Sequence, residues 1–273
     1  MSDHQHDDLP DILDLDAEVL ADMVREVHRE IQELTDGPVR TILDLGAGTG
    51  VGTLGLLREF PDARATAIDT SDEMLHHLRR RAADLGLADR VRTVRADLDA
   101  GLPAVEAVDL AWASASLHHM ADPGRVLREI AAAIRPGGLL AVLELSGFPR
   151  FVPDGAPGGD AEAQAHALLA ADRAVDMPTM GDDWGPAISA AGLDVATARV
   201  LQTHLAPPVA AVARRYAHGI LTRIRPVVAD RMDQAARAGL DQLMDGGPHD
   251  VRHRDDLQVT TTRHLWIARR QTA

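Results

Sequence analysis

Apolar positions near the start of the chain recur with a helical period. Val19, Leu20, Met23, Val24, Val27, Ile31 and Leu34 fall three and four residues apart. That spacing predicts a helix from Asp16 with one buried face, ended by the turn Asp36-Gly37-Pro38. The pattern then changes. Short apolar runs at residues 41–45, 65–68, 91–96 and 108–113 alternate with helical stretches, one running through Phe60, one from Ser71 to about Leu85 and one from Pro123 to Ile134. Pro136-Gly137-Gly138 predicts a turn into a fifth strand, residues 139–145. Strands alternating with helices of this length imply crossover connections and a parallel sheet, and near-continuous apolar strands suit a sheet covered on both faces.

Beyond Leu145 the regularity ends. Residues 147–159 are rich in Gly and Pro and read as a loop. An alanine-rich helix is expected over 161–175, a second from Trp184 to Ala191, a strand over 193–201, further helices between Val209 and Met244, and a β-branched closing strand over 259–267.

Composition narrows the functional classes. The 273 residues carry a formal net charge of -14. That balance argues against non-specific binding to nucleic acid or anionic lipid, which needs clustered Lys and Arg. Arg79, Arg80 and Arg81 read as a solvated helix face. Cysteine is absent, which excludes disulfides, thiolate nucleophiles and thiolate-ligated metals. His4 and His6 stand among aspartates in an acidic leader, residues 1–10, that reads as disordered. No apolar run approaches the roughly 20 residues that span a bilayer. The expectations are a cytoplasmic location, no membrane, no nucleic acid and no metal.

The chemistry gathers where the first strand meets its helix, in Leu43-Asp44-Leu45-Gly46-Ala47-Gly48-Thr49-Gly50. Glycine is needed where backbone turns tightly and a ligand approaches closely, and the helix start adds unsatisfied N–H groups. A dinucleotide fingerprint beginning at Gly46 fails, because its third glycine position holds Val51. A second match, Gly50, Gly52 and Gly55, begins inside the predicted helix and has the wrong context.

Gly46-x-Gly48-x-Gly50 instead resembles the first motif of the class I, Rossmann-like S-adenosylmethionine-dependent methyltransferases. Asp69 ends the second strand 19 residues beyond Gly50, within a stretch through Leu75 that resembles the second motif. A carboxylate there can accept both ribose hydroxyls of an adenosine. Residues 95–98 resemble the third motif, 109–119 the fourth, and 127–139 the last core helix, turn and strand. The resemblance covers about residues 40–146. It implies a seven-stranded, mostly parallel α/β sheet with helices on both faces and a helical cap, the closing strand being antiparallel.

The resemblance also implies roles. Gly46 and Gly48 would contact the methionine portion of S-adenosylmethionine, Asp69 the ribose, and Asp97 with Leu98 the adenine, with Ala47, Gly50 and Thr70 as further cofactor contacts. Asp44 would accept from loop backbone or the cofactor amine. Met74, Ser114 and His119 join the candidate cofactor contacts, although Met74 is more often core on such a helix. His118 and His119 are the catalytic candidates: adjacent side chains diverge, so one can face an acceptor as a base while the other packs. Residues 11–273 read as a single domain with 40–146 as the cofactor-binding core and 11–35, 148–183 and 205–250 as substrate-cap elements. Trp184, Tyr216, His166, His204 and Arg214 are candidate pocket residues, each more often structural. The expected activity is methyl transfer to an O or N nucleophile of a small molecule, in specialised metabolism. Methylation of a peptide or protein, or a non-methylating regulator or cyclase on the same fold, stand as alternatives, and a homodimer is left open.

Overall fold

The computed structural model describes residues 9–272, so the leader with His4 and His6 lies outside the described residues apart from Leu9 and Pro10, which already belong to a helix. The chain divides into two compact units. Of the described residues, one comprises 22–145, 181–201 and 263–272, and the other 9–21, 146–180 and 202–262.

The first unit is built on a seven-stranded sheet in the order β3-β2-β1-β4-β5-β7-β6. Its strands are β1 (Thr41–Leu45), β2 (Arg64–Asp69), β3 (Val91–Arg95), β4 (Val108–Ser114), β5 (Ile134–Leu145), β6 (Leu193–Leu205) and β7 (Val259–Arg270). β1 to β5 pair in parallel, and β7 runs antiparallel to β5. β6 and β7 continue past this unit, their residues 202–205 and 259–262 belonging to the other. The expected Pro136-Gly137-Gly138 turn lies within β5. Its register shifts against β4 between Val108 and Leu110, so the irregular backbone is absorbed as a bulge in the sheet.

The strand order reverses at β1, whose neighbours β2 and β4 flank it, and that reversal opens a crevice at the carboxyl ends of the strands. The sheet is covered by α2 (Ala21–Glu33), α3 (Val51–Glu59), α4 (Asp72–Asp84), α5 (Pro123–Ala133) and α7 (Gly185–Ala190). Leu43, Leu45, Ile68, Ala111 and Ala113 pack on one face with Val126, Leu127 and Ile130 of α5 and Ile188 of α7. On the opposite face Trp112 lies edge-on to His28, ring centroids 5.6 Å apart. The glycines of α3 make this packing possible: a Cβ on Gly52 would stand 2.4 Å from Trp112 Nε1, and one on Gly55 2.6 Å from His28 Cε1. The second Gly-x-Gly-x-x-Gly match therefore serves helix-to-sheet packing.

The second unit is mainly helical: α1 (Leu9–Val19), α6 (Gly159–Asp176), α8 (Ala211–Val228) and α9 (Gln234–Gln242). The single helix expected from Asp16 is two, α1 and α2, divided at Leu20; buried Ile12 and Leu15 give α1 an apolar face of its own. Those side chains join Ala165, Leu169, Tyr216, Ile220, Leu221 and Leu240 in a separate core. Fully buried Glu162 is satisfied by the Phe151 and Val152 amides at 2.8 and 2.9 Å. Among the described residues no helix is long and apolar enough to cross a membrane.

Candidate active site

β1 is apolar except for Asp44, and its last residues hand the chain to the glycine loop. Gly46, Gly48 and Gly50 all hold positive φ, 69°, 52° and 80°, values that L side chains adopt at a cost. Close approach reinforces the choice at two of them. A Cβ at Gly46 would lie 2.5 Å from Ser116 Cβ, and one at Gly50 2.1 Å from Leu78 Cδ1 of α4. α3 starts at Gly50 with no side chain capping its amides.

Asp69 ends β2 beside this loop. Its Oδ2 accepts from the Gly48 amide and its Oδ1 from the Ser71 amide, both at 2.8 Å. One carboxylate thus ties the glycine loop to the start of α4, and each oxygen keeps a second lone pair for a further donor. Thr70 is exposed and its carbonyl accepts from Arg95 Nε at 3.1 Å. Met74 is buried in the core under α4, its amide capped by Ser71 Oγ at 3.3 Å. Past β3, Asp97 is exposed and its Oδ1 accepts the Asp99 amide at 2.9 Å. Leu98 is buried beside it, and its carbonyl accepts from Arg125 at 2.8 Å.

Asp44 is 2% exposed and paired with the hydroxyl of Thr53, in the first turn of α3. Burial pushes its carboxyl up to about 7, against the Thr53 hydrogen bond and with the help of the nearby Asp69 charge. In the structure it is Thr53, through both side chain and backbone, that Asp44 meets.

The segment after β4 is the least regular part of the site. Ser114 is half-buried at the strand end, and Ala115 bends the chain at φ 50°, the one non-glycine residue with positive φ among those described. A 3-10 turn, Leu117–His119, follows. The two histidines separate in it. His118 is buried, its Nδ1 2.6 Å from Glu144 Oε2. His119 is exposed, its ring 4.1 Å from that of His118. Partial burial, and then the neighbouring His118, hold the His119 imidazole below its ordinary pKa, which favours the neutral form at pH 7.

Glu144 escaped the sequence reading. It is 1% exposed on β5, and its Oε1 also accepts the amides of Ser116 at 2.9 Å and Leu117 at 2.8 Å. The signal was available: one acid inside the apolar run 139–145 must find buried donors. Ser116 is buried as well, and its Oγ has no hydrogen-bond partner.

The candidate pocket residues are scattered. Trp184 is buried in the core of the sheet unit, whereas the other four lie in the helical unit. There, Tyr216 donates to Asp16, His166 stands 3.7 Å from Glu162, His204 pairs with Thr260 at 3.1 Å, and Arg214 donates to the Arg254 carbonyl at 2.6 Å. No group of three or more His, Asp or Glu among the described residues is placed to hold a metal ion.

The donor set fits S-adenosylmethionine. A half-buried carboxylate with spare lone pairs suits a diol, the glycine turns leave backbone unshielded, and an unpartnered buried hydroxyl faces the same loop. Comparison with known proteins points the same way for the core of the chain. Residues 42–138 match a methyltransferase domain. Trans-aconitate 2-methyltransferase of Azoarcus sp. (strain BH72) is 37% identical over 102 residues, 37% of this chain and 38% of that protein. The 27-O-demethylrifamycin SV methyltransferase of Amycolatopsis mediterranei (strain S699) is 31% identical over 176 residues, 64% and 61% of the two chains. The match thus spans less than two thirds of either relative's length. The crystal structure of the [4+2]-cyclase SpnF shares the fold, with a TM-score of 0.53 and 23% identity over 91% of this chain and 81% of that one. Over residues 42–138 the chain is therefore similar to a methyltransferase domain, the same core that carries the glycine loop and Asp69.

Proposed function

We propose that this protein transfers the methyl group of S-adenosylmethionine to an oxygen or nitrogen of a small-molecule acceptor. Asp69 carries the reading: a carboxylate fixed by two backbone amides at the strand-order reversal, with acceptor capacity left for a ribose diol. Gly46, Ala47 and Gly48 would hold the methionine portion, and Asp97 with Leu98 the adenine. When bound, the cofactor supplies a methyl group on a sulfonium leaving group. The chain's own task is to hold a nucleophile in line and exclude water. His119, exposed and with its imidazole held below its ordinary pKa, would take the proton of that nucleophile.

A small acceptor is supported by the names of two relatives, which specify trans-aconitate and a demethylrifamycin. The net charge of -14 disfavours nucleic acid. Acceptor choice is assigned to residues 11–35, 148–183 and 205–250, which lie outside the matched core. Because one fold hosts different reactions, as the cyclase illustrates, turnover must be tested separately from binding.

Calorimetric titration with S-adenosylmethionine, S-adenosylhomocysteine and NAD tests the cofactor. Binding of the first two and none of NAD is expected. Asp69→Ala should weaken S-adenosylhomocysteine at least about 100-fold, the worth of two hydrogen bonds to a charged group, with an unchanged circular dichroism spectrum. Undiminished affinity in that variant, or binding of NAD alone, would refute the reading.

A further inference from the structure

We propose that Glu144 is a positioning residue that sets the loop after β4 so that the Ser116 hydroxyl binds the amino-acid end of the cofactor; this rests on the methyltransferase reading above.

The argument begins with strain. Ala115 occupies a left-handed conformation without being glycine, a state that persists only where surroundings enforce it. The enforcement is visible on both sides of the bend. The Ala115 amide donates to the Leu143 carbonyl at 2.9 Å. The next two amides, of Ser116 and Leu117, converge on one oxygen of Glu144, while the other oxygen holds the His118 ring. A single buried carboxylate therefore grips three consecutive residues. A carboxylate taken out of water needs such donors, and the loop needs such an acceptor, so each explains the other.

What the grip presents is Ser116. Its side chain lies against Gly46 so closely that any Cβ there would collide with it, and its hydroxyl stands 3.3 Å from that Cβ position. The hydroxyl is buried and unpartnered, a costly state for a group that rotates to find partners. Strand order identifies what it would meet. Asp97 follows β3, Asp69 ends β2, the glycine loop follows β1 and Ser116 follows β4, in the spatial order of the sheet. If β3 and β2 serve adenine and ribose, the end next to β4 is the amino-acid end. The α-ammonium and α-carboxylate there match a group that both donates and accepts.

The test uses two probes, S-adenosylhomocysteine and 5′-methylthioadenosine, which lacks the amino acid. Ser116→Ala should weaken the first about tenfold, the worth of one hydrogen bond to a charged group, and leave the second unchanged. Glu144→Ala should weaken S-adenosylhomocysteine similarly, and Glu144→Gln, which still accepts the two amides, should restore part of the loss. The deciding measurement is the pair of substitutions together. In a Ser116→Ala background the Glu144 change should cost little further affinity, because the hydroxyl it positions is gone. A purely structural role would cost the same in both backgrounds and would overturn the proposal, as would an equal loss for both probes. Should Glu144→Ala fail to fold, the Glu144→Gln cycle decides in the same way. If the unaltered protein binds neither probe, the methyltransferase reading itself falls. If it binds both and Ser116→Ala changes nothing, only this inference falls.

Discussion

A carboxylic acid buried without a cation carries its own pH dependence, and Asp44 is such a group. Its carboxyl titrates near 7 in the folded protein, because desolvation outweighs the Thr53 hydrogen bond, against about 3.9 in an unfolded chain. The folded state therefore binds more protons than the unfolded state between these values. Stability contributed by Asp44 is full below about pH 4, falls as pH rises toward 7, and levels above it. The slope reaches at most about 1.4 kcal/mol per pH unit. Asp44→Asn keeps a neutral acceptor for Thr53 and removes the proton. Urea unfolding across pH 4 to 8 should show the variant gaining on the unaltered protein through that window and holding its gain beyond. Parallel stability curves would mean that Asp44 ionises normally. Residues of this kind also show how legible the site was. Gly46, Gly48 and Asp69 could be read directly, because positive φ and a carboxylate at a strand end leave marks in spacing and residue type. That Glu144 needs buried donors was legible too, but which donors it finds and the inward turn of His118 were not, because those contacts join positions 26 to 28 residues apart.

At the scale of elements, α3 and its contacts explain why the fold was more readable between residues 40 and 146 than elsewhere. Each strand there is short and apolar, each helix has a clear start, and the crossovers are local, so periodicity alone located β1 to β4 and α3 to α5 within a few residues. The break at Leu20 was hidden because apolar residues continue at helical spacing across it, and the β5 bulge because Pro-Gly-Gly ordinarily signals a turn. The glycines of α3 offer the sharper test of packing against propensity. Alanine is about 1 kcal/mol better than glycine in a helix interior. At Gly124, in α5, an added Cβ meets nothing nearer than 3.5 Å, and Gly124→Ala should stabilise by about 0.5–1 kcal/mol. At Gly52 the same Cβ would press on Trp112, which is only 2% exposed and has no room to retreat. Gly52→Ala should therefore destabilise by about 1–3 kcal/mol, despite its better propensity. Urea midpoints for the two variants should move in opposite directions, and a shared direction would show that Trp112 repacks freely.

For the whole molecule, the division into two units locates the consequences of binding. Asp69, Asp97, Ser116 and the glycine loop all belong to the sheet unit, and the amides of Gly48, Ser71, Ser116 and Leu117 are held by just two carboxylates, Asp69 and Glu144. A ligand that binds only the folded state stabilises it by about 2.7 kcal/mol when present at 100 times its dissociation constant. Yet local openings need less energy than global unfolding, and their protection reports the segments that ligand contacts tie down. The helical unit has its own core, centred on Tyr216, Leu221 and Leu240 and closed by Glu162 beneath residues 151 and 152. That core includes neither Asp69 nor Asp97 nor any residue of the glycine loop. Hydrogen exchange with saturating S-adenosylhomocysteine should accordingly slow most in peptides covering residues 44–52, 69–75 and 114–119, and least in those covering α8 and α9. Slowing spread evenly over both units would mean that the two open together. Slowing confined to the three sheet-unit segments would mean that the cofactor binds without ordering the helical unit.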